Sequence, residues 1–342
     1  MKQPNVHVDQ SWSVLNKAVE ALQPSKIFIL IDQNIKAYCL PIFADQVDFT
    51  FEILSIISGE EYKTIQTCQS IWGALIDEAA DRKSLFINLG GGVIGDMGGF
   101  CASVYKRGIP FIHIPTTLLA MVDASIGGKV GIDHVGLKNI LGDFVQPELI
   151  FVHTNFLKSL DIRNIRSGFA EIIKHAIVAD ADLWEQIRVI RDVSEIQNWK
   201  KLVENNIKIK QGIVNTDPSE QNVRKTLNFG HTIGHALESH SIGTTHPLFH
   251  GEAVALGIMK ECAIAVELGI LDREITEQIT KYIQLLFPDI ECTAPISEVL
   301  EFIKNDKKNQ NGEIQMALPS AIGSCQYNIN VPVDLIRKVL LA

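Results

Sequence analysis

A glycine-rich stretch between residues 85 and 139 constrains this chain more than any other feature. The apolar run 84–89 leads directly into Gly90-Gly91-Gly92-Val93-Ile94-Gly95-Asp96, a pattern typical of a buried strand that turns abruptly into a helix. Because glycine has no Cβ, backbone N–H groups in such a turn can approach phosphate oxygens, and the helix dipole favours an anion there. The stretch predicts a strand, a diphosphate-sized turn, a helix and a second strand at 109–114, followed by a polar loop.

The glycine spacing by itself does not establish a nucleotide site, because such turns also serve only the close packing of a helix on a strand. A Rossmann fingerprint has an acidic residue roughly 20 residues further on, where this chain has Lys106, Arg107 and His113. A nucleotide would therefore be held in a non-standard way. The connection after the second strand favours a ligand site, because it gathers hydroxyls, a carboxylate, lysines and an amide: Thr116, Thr117, Asp123, Lys129, Lys138 and Asn139.

The chain is long enough for two domains, with 342 residues of which 46% are hydrophobic. In its first part, apolar runs at 26–31 and 49–57 alternate with helical spacing at 67–82, as in an open α/β sheet. Asp32, just after the first run, could bind a ribose or cap the next helix. Beyond residue 152 helical segments dominate, and a boundary near residue 155 predicts domains 1–155 and 156–342. The later segments are helices at 165–178, 183–211, 224–239, 251–268 and 274–286, and a small strand at 314–318.

Composition excludes several classes of protein. The formal net charge of −9 argues against a nucleic-acid or anionic membrane surface, since both partners require a basic footprint. Six cysteines without any C-x-x-C pair indicate neither a disulfide framework nor a thiolate metal site. The first residues lack the apolar core of a signal peptide, and no apolar run approaches the roughly 20 residues of a membrane span. We expect a cytoplasmic protein that gathers cations around a small anion.

Carboxylate and imidazole side chains in the second half form a candidate metal site. Glu171 and Lys174 are three residues apart on a segment with helical periodicity, so they share a face. Two histidines and a glutamate are one of the ligand sets of catalytic zinc. Spacing alone cannot choose the histidines, although it favours His231 with His235, which lie four residues apart. The candidates are His231, His235, His246 and His250.

These stretches, taken together, resemble the 3-dehydroquinate synthase family of the sugar phosphate cyclase superfamily. The match runs from about residue 32 to the C-terminal region, and several long motifs in the order of that family are hard to obtain by chance. The motifs are 90–96, Pro115-Thr116-Thr117 to Asp123, Ile126-Gly127-Gly128-Lys129, Lys138-Asn139, Ala170-Glu171-Ile172-Ile173-Lys174-His175, Leu227-Asn228-Phe229-Gly230-His231-Thr232-Ile233-Gly234-His235 and His250-Gly251-Glu252.

The resemblance implies a Rossmann-like, NAD-binding α/β domain and an all-α, metal-binding C-terminal domain, with the active site between them. It implies the conversion of 3-deoxy-D-arabino-heptulosonate 7-phosphate to 3-dehydroquinate and phosphate, in the shikimate pathway of aromatic amino acid biosynthesis. Bound NAD is reduced and reoxidised in each turnover, with one zinc or cobalt ion per subunit. It also implies a homodimer in which Arg107 reaches the neighbouring site.

Residue roles follow from the resemblance, position by position. The metal ligands would be Glu171, His231 and His250, with His235 facing the substrate. Lys210 and Arg224 would hold the substrate carboxylate. The phosphate would be held by Lys129, Asn139, Lys174 and Lys307, and Lys138 would also contact the substrate. Asp123, Asn228 and His235 would orient the substrate hydroxyls and relay protons. The catalytic residues would be these three together with Lys129 and Lys174. The positions matching NAD contacts are Asp32, Asn34, Glu60, Lys63, Gly91, Gly92, Val93, Asp96, Thr116, Thr117, Leu119, Asp123, Lys138 and Ser159.

One segment departs from the family pattern. The family commonly has an aspartate and then Thr-Leu-Pro-x-Arg-Glu before the metal glutamate, whereas this chain has His153 and then the run 159–164, Ser-Leu-Asp-Ile-Arg-Asn. Ser159 keeps a hydroxyl, but the proline and the glutamate are missing. We therefore predict weaker retention of NAD.

Three alternatives remain at this stage. Another sugar phosphate cyclase would act on sedoheptulose 7-phosphate or a related sugar, but a substrate without a carboxylate has little use for Lys210 and Arg224 together. A metal-dependent polyol dehydrogenase would not need the cations Lys129, Lys138 and Lys174. A catalytically retired binding module would have no reason to keep all of these groups.

Overall fold

The structure is a computed structural model, and it describes residues 4–341 except 10, 136, 243, 292–293 and 305–312. Lys307 therefore lies outside the described residues. The chain forms two compact units. The first comprises Met1–Asp161 and Asn198–Ile207, and the second comprises Ile162–Gln197 and Lys208–Ala342.

The first unit alternates strands and helices. Its elements are β1 (Asn5–Val8), α1 (Trp12–Leu22), β2 (Ile27–Asp32), α2 (Gln33–Tyr38), α3 (Leu40–Ala44), β3 (Glu52–Ile56), α4 (Ile65–Asp77), β4 (Leu85–Gly90), α5 (Gly92–Val104), β5 (Phe111–Pro115), β6 (Lys129–His134), β7 (Leu137–Phe144) and β8 (Leu149–Val152).

Six of these strands form one parallel sheet in the order β1-β8-β5-β4-β2-β3. The strands β4, β5 and β8 are buried along their whole length, which explains why they read as continuous apolar runs. The chain runs outward from β2 to β3 and then returns to the other side of β2 with β4. This reversal is a topological switch point, where open α/β sheets bind ligands beyond the carboxyl ends of their strands. Asp32 and Gly90 end the two strands that flank it.

The prediction of a polar loop after β5 is wrong for much of its length. A π-helical turn, Ala120–Ala124, is followed by the antiparallel pair β6 and β7. Val130 and Ile132 of β6 are buried at alternate positions, but polar neighbours and glycines mask this short alternation. Gly142 permits the close pairing, because a Cβ there would lie 2.3 Å from the Val130 carbonyl oxygen.

In its described residues, the second unit is helical apart from one hairpin. It contains α6 (Ile162–Ala179), α7 (Ala181–Ile187), the later part of α8 (Trp199–Thr216), α9 (His231–Ser241), α10 (His250–Glu267), α11 (Arg273–Leu286), α12 (Ile296–Lys304), β9 (Gln315–Ala321), β10 (Ser324–Asn330) and α13 (Val333–Leu341).

The predicted fold class is confirmed, with a parallel α/β sheet in the first part and a helical C-terminal region. The predicted late strand is β9, and its pairing with β10 means that the C-terminal region is not entirely α-helical. The single helix predicted over 183–211 is wrong, because two local caps interrupt it. Asp192 Oδ1 accepts a bond from Ser194 N (2.9 Å), and Asn198 Oδ1 accepts one from Lys201 N (3.1 Å) at the start of α8. In the described part of the chain, no helix combines the length and the apolarity needed to cross a membrane.

Candidate dinucleotide and metal sites

The glycine turn lies between β4 and α5, as its composition predicts. Gly91 is the N-cap of α5 and provides no capping side chain, so the amides of the first turn are available to an external acceptor. The glycines are needed for close packing as well: a Cβ on Gly90 would lie 2.6 Å from the Ile94 side chain, and one on Gly91 would lie 3.0 Å from the methyl carbon of Thr117. A cavity lined by Asn88, the glycines and other residues adjoins the turn. The turn fits a diphosphate, because it presents backbone amides at the positive end of a helix.

Asp32 is a helix cap in this structure. Its Oδ1 accepts a bond from Ile35 N (2.9 Å) at the start of α2, and its Oδ2 accepts one from the Ser58 hydroxyl (3.0 Å). The Asn34 amide donates to the same Ser58 oxygen (3.1 Å). Helix capping, one of the two roles that the sequence left open for Asp32, is therefore observed. A carboxylate has about four lone-pair positions, so Asp32 can also accept a bond from a ribose hydroxyl.

A buried lysine is the centre of a network of five predicted site residues. Lys63 is only 3% exposed, and its Nζ lies 2.7 Å from Asp96 Oδ2 and 2.6 Å from Asn139 Oδ1. Lys138 Nζ donates to Glu60 Oε1 (3.1 Å), which is also 4.0 Å from Lys63 Nζ. Burial lowers the pKa of Lys63, but the carboxylates of Asp96 and Glu60 outweigh burial and raise it. The network is therefore charged at neutral pH and holds polar groups near the carboxyl ends of the strands.

The other predicted residues of the first unit have varied surroundings. Thr117 Oγ1 accepts a bond from Ala120 N (3.2 Å), and the Ser159 hydroxyl donates to the Phe156 carbonyl (3.1 Å). Arg107 is exposed with φ +67°, in a left-handed turn that few non-glycine residues adopt. Thr116 is buried, Val93, Leu119 and Asp123 are half-buried, and Lys129 is exposed at the start of β6.

A buried carboxylate is the centre of the candidate metal site in the second unit. Glu171, Lys174 and His175 are all buried on α6, and Lys174 forms an ion pair with Glu171. Charged side chains are rarely buried unless they are paired or bind a metal. Glu171 Oε1 lies 3.4 Å from His231 Nε2 and 3.2 Å from His250 Nε2.

The hydrogen bond of each imidazole directs Nε2 toward Glu171. His231 is the first residue of α9, and its Nδ1 is 3.0 Å from the Phe229 carbonyl oxygen, which can only accept. The proton of neutral His231 therefore lies on Nδ1, and Nε2 carries the lone pair. His250 begins α10, and its Nδ1 is 3.2 Å from Glu238 Oε2.

Charges around the two imidazoles act on them differently. Burial and the Lys174 ammonium lower the pKa of His231. Burial would also lower the pKa of His250, but the Glu238 and Glu171 carboxylates raise it to about 10 in the metal-free protein.

His235 completes a group of three histidines whose ligand atoms lie within 4.8 Å of one another. Its ring centroid is 4.9 Å from that of His231 and 5.7 Å from that of His250. His246, the fourth candidate from the sequence, is exposed. Glu171, His231 and His250 together fit a metal ion. Two ligand atoms that each lie about 2.1 Å from a tetrahedral zinc ion are about 3.4 Å apart. This is close to the distances from Glu171 Oε1 to His231 Nε2 and to His250 Nε2.

Arg224, one of the two predicted carboxylate-binding residues, belongs to a tight loop. Asp217 accepts bonds from the amides of Gln221 (3.0 Å), Asn222 (2.6 Å) and Arg224 (3.1 Å). Burial raises the pKa of Asp217, but these bonds outweigh burial and lower it. The Arg224 guanidinium donates to the Pro218 carbonyl (2.6 Å). Lys210 is buried.

Several residues that organise these groups were missed from the sequence. Glu238 follows His231 by seven residues, so the same helical periodicity that linked His231 with His235 could have identified it. Glu220, whose Oε1 accepts a bond from the Asn228 amide (2.6 Å), and Asp217 lie in an irregular loop. No local pattern indicates their roles, because loop contacts follow no repeat.

Comparison with known proteins identifies the family of the chain. The chain matches the family model of the 3-dehydroquinate synthase N-terminal region over residues 53–167 and that of the C-terminal region over 168–309. A 3-dehydroquinate synthase of Parabacteroides distasonis is 40% identical over 332 residues, which is 96% of this chain and 94% of that protein.

Solved structures share the fold across both units. A 2-epi-5-epi-valiolone synthase from Streptomyces hygroscopicus subsp. jinggangensis, solved with NAD+ and Zn2+ bound, has a TM-score of 0.89 and 25% identity, covering 100% of this chain and 96% of its own. A 2-deoxy-scyllo-inosose synthase, solved with carbaglucose-6-phosphate, NAD+ and Co2+, has a TM-score of 0.87 and 23% identity, covering 99% and 98%.

A glycine turn at the switch point of a parallel sheet, together with a carboxylate and histidine cluster in a helical unit, defines a dinucleotide- and metal-dependent enzyme of the sugar phosphate cyclase type. The chain belongs to the 3-dehydroquinate synthase family. The reaction class predicted from the sequence, a phosphate-eliminating cyclisation by a lyase, is confirmed at the level of that family.

Proposed function

We propose that this chain converts 3-deoxy-D-arabino-heptulosonate 7-phosphate to 3-dehydroquinate and phosphate, using NAD and one zinc or cobalt ion per subunit. The observation that carries the proposal is the spacing of Glu171 Oε1 from His231 Nε2 (3.4 Å) and His250 Nε2 (3.2 Å), in a chain of the 3-dehydroquinate synthase family. We assign residues 1–155 to NAD binding and 156–342 to metal and substrate binding.

Glu171, His231 and His250 would hold the metal ion. When bound, NAD supplies a hydride acceptor that returns the hydride within the same turnover, and the divalent ion supplies a charge that lowers the pKa of a substrate hydroxyl. Lys174, paired with Glu171, lies close to the proposed ligands and can hold a phosphate oxygen. His235 lies against both ligand rings and can accept or return a hydroxyl proton.

Cations and amides would grip the two ends of the substrate. Lys210 and Arg224 would bind its carboxylate, which suits the fixed fork of an arginine. Asn228, whose amide nitrogen is held by Glu220, has its carbonyl oxygen to orient a hydroxyl, as does the Asp123 carboxylate. The phosphate would be bound by Lys129, Lys138, Asn139 and Lys174, with Lys307, outside the described residues, as a further candidate.

NAD would lie over the switch point of the sheet. The amides of Gly91, Gly92 and Val93 would hold its diphosphate at the start of α5, and Asp32 would bond a ribose. Around this centre, the proposed contacts are Asn34, Glu60, Lys63, Asp96, Thr116, Thr117, Leu119, Asp123, Lys138 and Ser159. The ionised network around Lys63 supports this assignment, because it provides both donors and acceptors for the cofactor hydroxyls.

A second sugar phosphate cyclase activity is the alternative, since structures of such enzymes share the fold. Phosphate release from 3-deoxy-D-arabino-heptulosonate 7-phosphate and from sedoheptulose 7-phosphate, with catalytic NAD and zinc or cobalt, distinguishes the two. We expect release from the first only, without net NADH. Release from the second only would reassign the substrate and remove the carboxylate roles of Lys210 and Arg224.

The metal role is tested with Glu171→Ala, for which we expect loss of bound metal and a fall in activity of at least ~10³-fold. Glu185→Ala, which changes a carboxylate paired with Arg188 on the surface, is the matched control and should leave both unchanged. If a chelator and Glu171→Ala leave activity intact, the proposed chemistry is wrong while the fold stands.

We also propose a cytoplasmic homodimer in which Arg107 enters the site of the neighbouring subunit. The exposed, left-handed turn at Lys106 and Arg107 supports this, because strained backbone at a surface often has a functional role. Mixing inactive Arg107→Ala and Glu171→Ala proteins would form hybrid dimers with one complete site, restoring about a quarter of the activity after random exchange. No recovery after exchange, verified by differently tagged subunits, would mean that Arg107 acts within its own chain.

A further inference from the structure

A carboxylate of α10 joins that helix to the beginning of α9. Glu261 is completely buried, and it lies outside the motifs quoted above for the family. Its Oε2 accepts a bond from Gly230 N (2.7 Å), and its Oε1 accepts one from Ile233 N (3.0 Å). Bonds from backbone amides favour the ionised form of a buried carboxylate.

The two amides are the N-cap and N3 positions of α9. In most helices the side chain of the N-cap residue accepts the N2 or N3 amide, but Gly230 has no side chain. Its φ of +78° strains any other residue, and a Cβ there would be 2.7 Å from the Ile258 side chain. Glu261, on a neighbouring helix, therefore accepts both of the hydrogen bonds that the two side chains of a capping box accept within their own helix.

Glycines bring α10 close enough for this contact. A Cβ on Gly257, one turn before Glu261, would lie 1.9 Å from the Gly230 carbonyl oxygen, and one on Gly234 would lie 2.9 Å from the Ala253 carbonyl oxygen. The backbones of α9 and α10 thus nearly touch at the start of α9. The carboxylate can reach the helix end, where the dipole favours a negative charge.

His231 and Thr232 lie between the two anchored amides. The His231 imidazole is set by the Phe229 carbonyl on one side and faces Glu171 on the other. We propose that Glu261 is a positioning residue for the metal centre. This inference rests on the metal role assigned to His231 under the proposed function. By holding the amides of Gly230 and Ile233, Glu261 sets the backbone of His231 and so the direction of Nε2. It touches neither the metal ion nor the substrate.

The test is the affinity of metal-free protein for Co2+, followed by its visible absorption and by competition with a chromophoric chelator. Glu261→Gln keeps the size of the side chain but turns an NH2 group toward one of the two amides. We expect its affinity for Co2+ to fall by about 10–100-fold, as for other partners that orient metal ligands, with an altered absorption band. Glu261→Asp, which keeps the charge but is one methylene shorter, should fall between wild type and Glu261→Gln.

A matched control separates positioning from general loss of stability. Asp180 caps α7 through Leu183 N (2.8 Å), on a helix that carries none of the proposed ligands. Asp180→Ala should lower the unfolding midpoint in urea without changing the affinity for Co2+.

The outcomes distinguish this inference from the proposed function. Wild-type affinity in Glu261→Gln and Glu261→Asp overturns the inference while the metal site stands. Absence of Co2+ binding in the wild-type chain overturns the metal site itself. If Glu261→Gln does not fold, wild-type affinity in Glu261→Asp is sufficient to reject the positioning role.

Discussion

Glu238 ties one of the proposed metal ligands to α9. Its Oε2 lies 3.2 Å from His250 Nδ1, while the other nitrogen of that ring faces Glu171. A carboxylate in this position orients the imidazole and makes it a stronger ligand. The histidine cluster is thus supported by a residue that the family motifs do not single out.

For Glu238→Gln we predict a roughly 10–100-fold loss of Zn2+ affinity, because the amide holds the ring with a weaker acceptor and no charge. Competition with a chelator measures the effect. Glu298→Gln is the control. Glu298 Oε2 lies 2.9 Å from Nδ1 of His240, which is on α9 like Glu238 but outside the histidine cluster. Equal affinities for the two variants would contradict the role of Glu238.

His113 is a buried histidine of β5 that no proposed reaction step uses. Asn88, its neighbour on β4, donates to Nδ1 across 3.2 Å, and burial lowers the pKa of His113 to about 4. In the unfolded chain a histidine titrates near 6.5. Between pH values of about 4 and 6.5, His113 therefore carries a proton in the unfolded state but not in the folded state.

We therefore predict that His113 removes stability as the pH falls from about 6.5 to 4 and has no effect above 6.5, with a slope of up to ~1.4 kcal/mol per pH unit. His113→Gln should be less dependent on pH than wild type in this window. Urea unfolding at several pH values measures the difference. Parallel curves for the two proteins would show that His113 has the same pKa in the folded and unfolded states.

At the scale of elements, an ion pair clamps the start of α10 to α6. Arg163 binds Glu252 through two bonds, of 2.6 and 2.7 Å, and donates to the Pro247 carbonyl (2.8 Å). Its guanidinium lies 3.9 Å from the centre of the Phe249 ring. Glu252 also accepts the Phe249 amide (2.8 Å), so the clamp holds the turn that leads into His250.

For Arg163→Ala we predict a loss of about 1 kcal/mol in the free energy of unfolding, because the side chain is 45% exposed and solvent screens the pair. The affinity for Co2+ should fall as well, since the turn before His250 loosens. Arg188→Ala removes an arginine of equal exposure, 47%, from its pair with Glu185. This control should leave Co2+ binding unchanged, and an equal fall in both variants would argue against the clamp.

At the scale of the whole molecule, the segment that departs from the family, His153 and the run 159–164, lies where the chain passes from the first unit to the second. His153 provides no side-chain cap to the 3-10 helix Thr154–Ser159. Asp9, from the end of β1, accepts the Thr154 amide (2.6 Å) and lies 3.1 Å from His153 Nδ1. A residue distant in sequence thus supplies the carboxylate that stabilises this segment.

We predict that NAD co-purifies at less than one molecule per subunit, because the proline and the glutamate of the family pattern are absent here. Ser159→Thr combined with Asn164→Glu, which restores two of the family residues, should increase the NAD retained. Denaturation followed by an assay of the released NAD measures it. Stoichiometric NAD in the wild-type protein would contradict the prediction.

The sheet and its glycine turn could be predicted from the sequence, because both depend on local properties. Buried strands read as apolar runs, and a turn that requires glycine shows it in composition. The hairpin β6–β7 and the break between α7 and α8 could not be predicted. The hairpin has only a short alternation of apolar residues with glycine and polar residues, and the break depends on capping by Asp192 and Asn198, which differ little in sequence from many other polar residues.

By itself, the sequence determined the class of fold, the turn for a diphosphate and the group of residues from which a metal site could be chosen. Only the tertiary structure decided that His250 meets Glu171, 79 residues away, and that Glu238 and Glu261 hold the histidine-bearing helices. Helical periodicity reports neighbours three or four residues apart. Which helices meet, and at which turn, depends on how their side chains pack.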